Sequence, residues 1–581
     1  MSRRRLLTAL LILAVLGAVG YTAWLGWSVQ RDLRQAQASA TRLQSAVTDR
    51  DEERARSAAD DLRRHSAAAA ERTDGPWWGA LTQLPFVGDD AEGIRVLSSS
   101  LELISSDGMD PLLEVVDLIA DVNDGGRIDV DVVRALKEPV VAGHASVALA
   151  ASRLEALDSS GFVRILRERY DELAEVVSGL DEGLGAAAEV AEVLPAMVGG
   201  EGRRTYLMAF QNNAEVRSTG GMPGVFAVVT AEDGKLTLSD QVTASSFGEL
   251  DRPILPLTGE ERAFFGPQLG TYIQDANFVP HFPRTAELMA ARWTDRFGGE
   301  LDGVVTIDTV GMSYLLPGTG PVTTPDGARL TEDNVVEELL NRTYFDFDDN
   351  AVQDARFQAV AVAVFQGATA GGGSPLELAK GLGRAAGEGR FLVHSFDEGV
   401  QEKLSGTRVA GELTTTEADV PEVDIALSDL TGSKMSYYLR YTTDVRADGC
   451  ADGVQSLAGT MRIGSDLSDQ DVSTLPAFIS GGGRFGTEPG SQLVSIRIFG
   501  PEGGSFDRVR MDGEVITYTE RTLDGRAVVE LVSLLRPTDD VDITWTMTSG
   551  PGQTGDVDLA VTPSIVPGDK GQTSPTACRQ R

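Results

Sequence analysis

Residues 204–240 read RTYLMAFQNNAEVRSTGGMPGVFAVVTAEDGKLTLSD, and their alternation of apolar and polar runs indicates the fold of the central part of the chain. The apolar runs TYLMAF and GVFAVVTA predict two strands, and AEDGK predicts a hairpin turn after them. Between the two runs lies a polar segment at 212–221, which we expect to form a loop. Its candidate ligand-binding residues are Asn212, Asn213, Glu215, Arg217, Gly220 and Gly221.

Two interpretations of this loop stay open. Residues that follow a core strand lie at the carboxyl edge of the sheet, where α/β folds bind ligands, and Arg217 can hold a phosphate or carboxylate with two hydrogen bonds. Asp275 and Asn277 from a second segment, with Asp302 at the mouth of the next strand, would complete such a site. The alternative is a structural loop in which the amides satisfy the turn and Arg217 bonds to Glu215 or Asp275.

The amino terminus predicts the location of the protein. Three Arg residues in MSRRR precede an uncharged run from Leu6 to Trp27, and these 22 residues would form a helix about 33 Å long, enough to cross a bilayer. Basic residues stay cytoplasmic, so we expect a single-pass cell-membrane protein whose bulk is extracytoplasmic. A cleaved signal peptide, with ASA at 38–40 as its cleavage site, is the alternative.

The rest of the chain divides by pattern into several segments. Residues 28–72 lack Pro and Gly and predict one solvated helix, and Trp77 and Trp78 near Pro76 and Pro85 suggest a docking clasp or a membrane-surface patch. After the tip and membrane helix at 1–27, we therefore expect a helical stalk and clasp at 28–90, an antiparallel helical bundle at 91–200, an α/β domain at 201–425, an all-β sandwich at 426–565 and a disordered tail at 566–581.

Charge and cysteine content exclude some functions and leave others open. The net charge of −36 argues against nucleic-acid binding, which needs a basic face. Cys450 and Cys578 are the two cysteines of the sequence. Outside the membrane they are free to pair and to attach the tail to the last domain, although two unpaired thiols fit the sequence equally well.

Three ordered segments carry a family resemblance. They are YLMAFQNNAEVRSTGGMPGVFAVVTAEDGKL, YIQDANFVPHFPRTAELMAARW and LDGVVTIDTVGMSYLLPGTGPVTTPDGARLTEDNVV. Together they resemble the bacterial domain of unknown function 4012, which typically has an N-x-E-x-R-x-x-G-G loop, a D-A-N-x-x-x-x-F-P segment and a D-G-V segment. The matching residues are Asn213, Glu215, Arg217, Gly220, Gly221, Asp275, Ala276, Asn277, Phe282, Pro283, Asp302, Gly303, Val304 and Asp308.

The order of strands and helices is also similar to the LytR-CpsA-Psr family. Members of that family transfer glycopolymers from polyprenyl-pyrophosphate carriers to the cell wall, with Arg clusters, carboxylates and Mg²⁺. The resemblance implies that Arg217 contacts phosphate, that Asp354 and Arg356 belong to the site, and that Mg²⁺ is a cofactor. The chain departs from the family pattern where Phe357 and Gln358 replace a paired arginine.

We therefore expect a membrane-anchored envelope protein that handles cell-wall or exported polysaccharide. One function is the transfer of phosphate-linked glycan from a polyprenyl carrier. The alternative is a non-catalytic envelope scaffold that binds glycan or partner proteins. Several arginines converging on the 212–221 segment would favour the enzyme, because a pyrophosphate needs several cations, and one arginine neutralised by Glu215 would favour the scaffold.

Overall fold

The computed structural model describes residues 3–49, 51–371, 373–413, 418–484, 486–568, 571 and 573–578, with side chains from residue 17 onward except at 124, 182, 186 and 189. Contacts divide the chain into two units, Met1–Ile119 with Ala135–Ala188, and Ala120–Arg134 with Glu189–Arg581. The expected multi-domain organisation, with helices towards the amino terminus and β-sheet towards the carboxyl terminus, is confirmed.

The first unit is helical. Its chain segments form α1 (Arg3–Thr48), α2 (Glu52–Thr73), α3 (Pro76–Leu81), α4 (Gly88–Leu103), a π-helical turn (Ile104–Gly108) and the greater parts of α5 (Met109–Asp121), α6 (Val130–Glu155) and α7 (Arg164–Met197). Its largest core cluster joins α4, α6 and α7 through residues such as Leu97, Val147, Leu154, Tyr170 and Val177.

The predicted solvated stalk is wrong, because the helix breaks and folds back on itself. Asp51 caps α2 by accepting a hydrogen bond from the backbone N–H of Arg54. Arg42 then pairs with Asp61 at 3.0 Å, and Arg72 pairs with Asp32. The seam between α1 and α2 is buried and lined largely by alanines, which let two helices approach closely without a leucine-rich stripe.

Over the described residues, no helix carries a run that is both apolar enough and long enough to cross a membrane. The predicted span Leu6–Trp27 lies partly outside the described side chains, which begin at residue 17.

The centre of the second unit is a mixed sheet. Its strands are β3 (Arg204–Arg217), β4 (Gly220–Glu232), β5 (Lys235–Leu238), β6 (Val242–Thr243), β7 (Gly303–Asp308) and β10 (Phe391–Ser395), in the order β10-β7-β3-β4-β5 with β6 also on β4. β3 and β7 are parallel, and the other neighbours are antiparallel. Two-residue strands pair as small hairpins outside this sheet, at β1 (Asn123–Asp124) with β2 (Arg127–Ile128) and β8 (Val322–Thr323) with β9 (Arg329–Leu330).

Helices cover both faces of the sheet, because its strands alternate their apolar side chains between two cores. Leu207 and Ala209 face a cluster with α10, whereas Phe210 and Ile307 face one with α11 and α14. The helices of this part are α8 (Gly259–Phe265), α9 (Gln268–Thr271), α10 (Phe282–Phe297), α11 (Thr309–Thr319), α12 (Val335–Glu337), α13 (Thr343–Asp346), α14 (Asn350–Thr369), α15 (Pro375–Gly387) and α16 (Glu398–Leu404).

Two five-stranded sheets follow and enclose one apolar core. The elements are β11 (Glu422–Asp429), β12 (Leu439–Ala451), β13 (Val454–Ser465), α17 (Ala477–Ser480), β14 (Gln492–Glu502), β15 (Ser505–Met511), β16 (Glu514–Val515), β17 (Arg521–Leu523), β18 (Arg526–Leu535), β19 (Asp540–Thr548) and β20 (Asp558–Val561). The first sheet has the order β17-β18-β14-β11-β20 and the second β12-β13-β19-β15-β16.

The sandwich and the mixed sheet share their cores. Val216 of β3 lies in the sandwich core beside residues such as Ile496 and Val529. In the other direction, Ala426, Phe499 and other residues of the first sandwich sheet lie in the cluster beneath α10. Because the first sandwich sheet is covered on both faces, most residues of β14 are buried, and so are most residues of β18 from Arg526 to Leu531.

The described residues of the expected disordered tail make specific contacts. Ser574 pairs with Val557 in an isolated antiparallel bridge. Thr576 donates a hydrogen bond to Thr554 O at 2.7 Å. Cys578 forms a disulfide with Cys450 of β12, so the sulfurs pair rather than remain as free thiols.

Candidate functional site

The predicted loop at 212–221 is instead the end of a long β-hairpin. β3 continues to Arg217, β4 begins at Gly220, and Ser218 and Thr219 form the turn. The register shifts between Asn212 and Val216, so a bulge gives this end of the hairpin its extra residues. A Cβ at Gly221 would lie 2.3 Å from the carbonyl carbon of Asn212, which explains the glycine there.

Arg217 is buried and used inside the protein. Its Nη1 donates hydrogen bonds to the carbonyl oxygens of Val216 at 3.1 Å and Asp429 at 3.2 Å, and its Nη2 lies 3.6 Å from Glu215 Oε2. The guanidinium also stacks over Phe278, 4.5 Å from the ring centre. Burial lowers the pKa of Arg217, while the Asp275 and Asp429 carboxylates favour its charged form.

Glu215 has a second cationic partner, Lys434, on the segment between β11 and β12. The ammonium of Lys434 also lies 5.5 Å from the ring centre of Tyr344, whose hydroxyl accepts a hydrogen bond from Asn212 at 2.7 Å. Burial lowers the pKa of Lys434 to about 8. The ammonium pairs with the Glu215 carboxylate.

Asn213 belongs to a different network, on the side of the hairpin that faces β7. Its side-chain amide donates to Asp308 Oδ2 at 2.7 Å, and Arg390 donates to the same oxygen at 2.9 Å. The other oxygen, Asp308 Oδ1, accepts from Gly311 N at 2.6 Å and caps α11. Asp308 therefore uses both carboxylate oxygens inside the fold.

Asn277 and Asp275, the residues predicted to complete a ligand site, lie close to the hairpin. Asn277 donates to Gly221 O at 2.8 Å and to Thr219 Oγ1 at 3.2 Å, so it fastens the turn. Burial raises the pKa of Asp275, and Arg217 nearby opposes that rise. Both residues lie on the short helix Ile273–Phe278, and Asn277 supports the hairpin from there.

Asp302 lies at the opposite end of the sheet, so the prediction that it would help complete the site is wrong. β3 and β7 are parallel, and Gly303 is level with Tyr206 rather than with Arg217. The Asp302 carboxylate accepts from Thr205 N at 2.7 Å and lies 3.4 Å from Arg204. It therefore fixes the start of β3.

Asp354 and Arg356 lie on α14 and not on the hairpin. Arg356 is buried and pairs with Asp326 and, at 3.1 Å, with Glu338. Burial raises the pKa of Asp354. Among the described contacts, neither residue forms a hydrogen bond or an ion pair with Arg217, so the structure gives Arg217 no second arginine from this segment.

Some buried polar atoms around the hairpin have no hydrogen-bond partner among the described residues. They are Asn213 Oδ1, Asn277 Oδ1 and Arg217 Nε. Such atoms usually bind ordered water or a ligand. The cleft that reaches the hairpin touches Ser218 and Thr219 and has a volume of about 150 Å³, below the roughly 300–1,000 Å³ that is common for small-molecule pockets.

The carboxylates near the hairpin do not fit a Mg²⁺ ion. Glu215 pairs with Lys434 and Arg217, Asp308 pairs with Arg390, and Asp429 accepts from Thr431. In the part of the chain that the structure describes, no group of three or more His, Cys, Asp or Glu residues is arranged to hold a metal.

Several important residues of this region are not apparent from the sequence. Phe278, Lys434, Asp429, Tyr344 and Arg390 all contact the hairpin network. They lie between 60 and more than 200 positions away from it, and nothing in their local sequence indicates the partner. The one available signal is Arg390, a cation placed directly before an apolar strand and therefore in need of a buried partner.

The model of a family described as "Protein of unknown function (DUF4012)" matches residues 201–344. This match confirms the predicted family for the segment that contains the hairpin, the Asp275–Asn277 segment and β7. No curated protein and no solved structure matches the chain significantly. The resemblance to the LytR-CpsA-Psr family is therefore not confirmed.

Proposed function

We propose that this chain, which carries a DUF4012 domain at residues 201–344, is a membrane-anchored, extracytoplasmic scaffold of the cell envelope that binds glycan or partner proteins. The proposal rests on the burial and the contacts of Arg217. It is buried, paired with Glu215 and bonded to Asp429 O, so it joins the mixed sheet to the sandwich.

The charges around the hairpin favour the scaffold over glycan transfer from a pyrophosphate carrier. A transferred pyrophosphate needs several cations that face the substrate. Here the nearest cations already face carboxylates, since Arg217 and Lys434 both contact Glu215 and Arg390 contacts Asp308. The charged side chains of the hairpin therefore stabilise the fold by pairing with one another inside the protein.

Two features support an extracytoplasmic location. The uncharged run Leu6–Trp27 follows an Arg cluster, an order typical of a helix inserted with its amino terminus inside. The disulfide between Cys450 and Cys578 belongs with an oxidising environment, since such bonds are rare in the cytosol.

The Arg217→Ala variant of the full chain tests the proposal. Removal of the guanidinium takes a positive charge away from the buried Glu215 and Asp429 carboxylates. We therefore expect the free energy of unfolding to fall by about 3–5 kcal/mol. An exposed loop would predict a cost within about 0.5 kcal/mol. Arg252→Ala, at an exposed position, is the matched control.

The same variant separates the two functions in cells. For a scaffold, the envelope phenotype of Arg217→Ala should follow the amount of folded protein and recover when expression is raised. A variant that melts like the wild type, yet no longer binds or transfers a polyprenyl-pyrophosphate-linked glycan, would establish the transferase instead.

A further inference from the structure

The first unit exposes apolar side chains at one end, near residues 21 and 22 of α1. Two of the connections between its helices lie at this end. Trp77 of α3 donates a hydrogen bond to Thr22 Oγ1 at 3.0 Å, and its ring meets that of Tyr21 edge-on at 5.3 Å. The α1–α2 hairpin therefore returns the chain to the level of residues 21 and 22. Trp24 and Trp27 on α1 are exposed close to this point.

The connection from α3 to α4 divides its apolar residues between an anchor and an exposed surface. Trp78 is the anchor, because it is buried with Leu25 and Val29 and donates to Ala91 O at 2.8 Å. Leu84 and Phe86 remain outside, and Phe86 is 99% exposed. In addition, the φ of Phe86 is +74°, a strained value for a bulky residue. The described part of the fold therefore offers Phe86 no burial that would compensate this strain.

A second connection lies beside the first. The backbone N–H of Val163 donates to Asp90 Oδ1 at 2.8 Å, which joins the turn between α6 and α7 to the start of α4. Val163 in this turn and Ile165 in the first turn of α7 are also exposed. Two separate interhelical connections thus present large apolar side chains at one end of the unit.

We propose that this end of the unit, which we call the aromatic end (Tyr21, Trp24, Trp27, Trp77, Leu84 and Phe86), lies in the headgroup region of a lipid bilayer. The inference rests on the membrane anchor of the proposed function. It adds that the α3–α4 connection is a second, independent contact with the same bilayer, and that Phe86 and Leu84 enter it.

The sequence spacing gives the aromatic end the right depth. Trp77 is level with Thr22, and the uncharged run ends at Trp27. At a rise of 1.5 Å per residue, Trp77 therefore lies about 7.5 Å along α1 from the end of the run. Apolar faces that lie in the interface enter it by about 5–10 Å. Indole rings also favour this region, since one edge is apolar and the other donates a hydrogen bond.

The composition of the connection favours lipid over a protein partner. Residues 76–87, PWWGALTQLPFV, contain no charged side chain, although 24% of the whole chain is charged. A protein interface usually keeps a polar, charged rim around its apolar centre. The aromatic end is continuous with the uncharged run Leu6–Trp27 of α1, so it would lie beside the bilayer that this run enters.

A fluorescent label at residue 86 tests the proposal in the full chain reconstituted in phosphatidylcholine vesicles. Phe86→Cys supplies one reactive thiol, because Cys450 and Cys578 are joined. Arg56→Cys is the control, since Arg56 is exposed near the far end of the α1–α2 hairpin. Circular dichroism checks that both variants fold.

Two quenchers then report the surroundings of each label. We expect a nitroxide on the lipid headgroup to quench the label at 86 several-fold more strongly than the label at 56, and acrylamide in the water to do the reverse. Equal quenching at both positions would overturn the proposal. Protection of position 86 from both quenchers would also overturn it, because a protein partner would then cover the surface.

Flotation of the same vesicles separates this inference from the anchor on which it rests. If the protein does not float with the vesicles, the proposed anchor fails, and the aromatic end as a second contact fails with it. If the protein floats but position 86 behaves like position 56, the anchor stands and the aromatic end is not in the bilayer.

Discussion

Arg390 and Asp308 form an ion pair in which neither side chain has any exposed surface, with 2.9 Å between Arg390 Nη1 and Asp308 Oδ2. The pair joins the residue before β10 to the last residue of β7, at the edge where Asn213 also contacts Asp308. Glu388 completes the arrangement by accepting from Arg390 Nε at 2.6 Å. This group is the most deeply buried set of charges around the hairpin.

The first prediction concerns this ion pair. Arg390→Ala leaves the Asp308 carboxylate buried without its cation, so we expect a loss of about 3–5 kcal/mol in the free energy of unfolding, measured by urea titration. Arg462→Ala removes the arginine of an exposed pair with Asp540 and should change the midpoint little. Equal effects of the two variants would contradict the structural role of Arg390.

The second prediction concerns pH. Burial alone would raise the pKa of Glu388, but Arg390, Tyr314 and Arg384 together hold it below its ordinary value of 4.5. A carboxylate with a lowered pKa in the folded state stabilises the fold above its ordinary pKa and loses this contribution as pH falls through the folded value. Glu388→Gln should therefore cost about 1.5–3 kcal/mol at pH 7 and progressively less below pH 4.5.

Urea titrations of the wild type and of Glu388→Gln at several pH values from 7 down to about 3 measure this dependence. Glu337→Gln, at an exposed carboxylate, is the matched control. A cost of Glu388→Gln that stayed constant, or grew, as the pH fell below 4.5 would show that the ionised carboxylate is not what stabilises the site.

The third prediction concerns the disulfide. Cys450 and Cys578 are 128 positions apart, so the bond closes a long loop and restricts the unfolded chain. Cys450→Ser should lower the free energy of unfolding by about 2–4 kcal/mol. The wild type in reducing agent should show the same loss, and the reductant should have no further effect on the variant. Unchanged melting of the reduced protein would contradict the prediction.

The sequence predicts the local elements of this protein better than it predicts how they meet. Alternating apolar runs identify strands such as β4 and β19, and an apolar–polar period near 3.6 identifies α10, because these patterns depend on the immediate neighbours alone. The fold-back of α1 and α2 is not predicted, since its seam consists largely of alanines and its break has neither Pro nor Gly.

The sequence predicts a loop at the end of the hairpin for a related reason. Polar residues between two apolar runs usually mean solvent exposure, but Glu215 and Arg217 are covered by the later segment 429–436. Their burial depends on the ion pair of Glu215 with Lys434 and on the hydrogen bond of Arg217 to Asp429 O, and both partners lie more than 200 positions away. The local sequence of one strand contains no information about such partners. It therefore does not predict that residues 212–217 form a strand.

The insertion of Val216 into the sandwich core bears on the order in which the chain acquires its structure. The turn residue Ser218 accepts a hydrogen bond from Thr562, which lies 344 positions later, and the chain is synthesised from its amino terminus. Until those later residues emerge, the hairpin tip keeps an apolar side chain and two charges without their partners. We therefore expect a nascent chain of this protein to need delayed folding, and a version shortened before β20 to be degraded rather than to accumulate as a half-folded product.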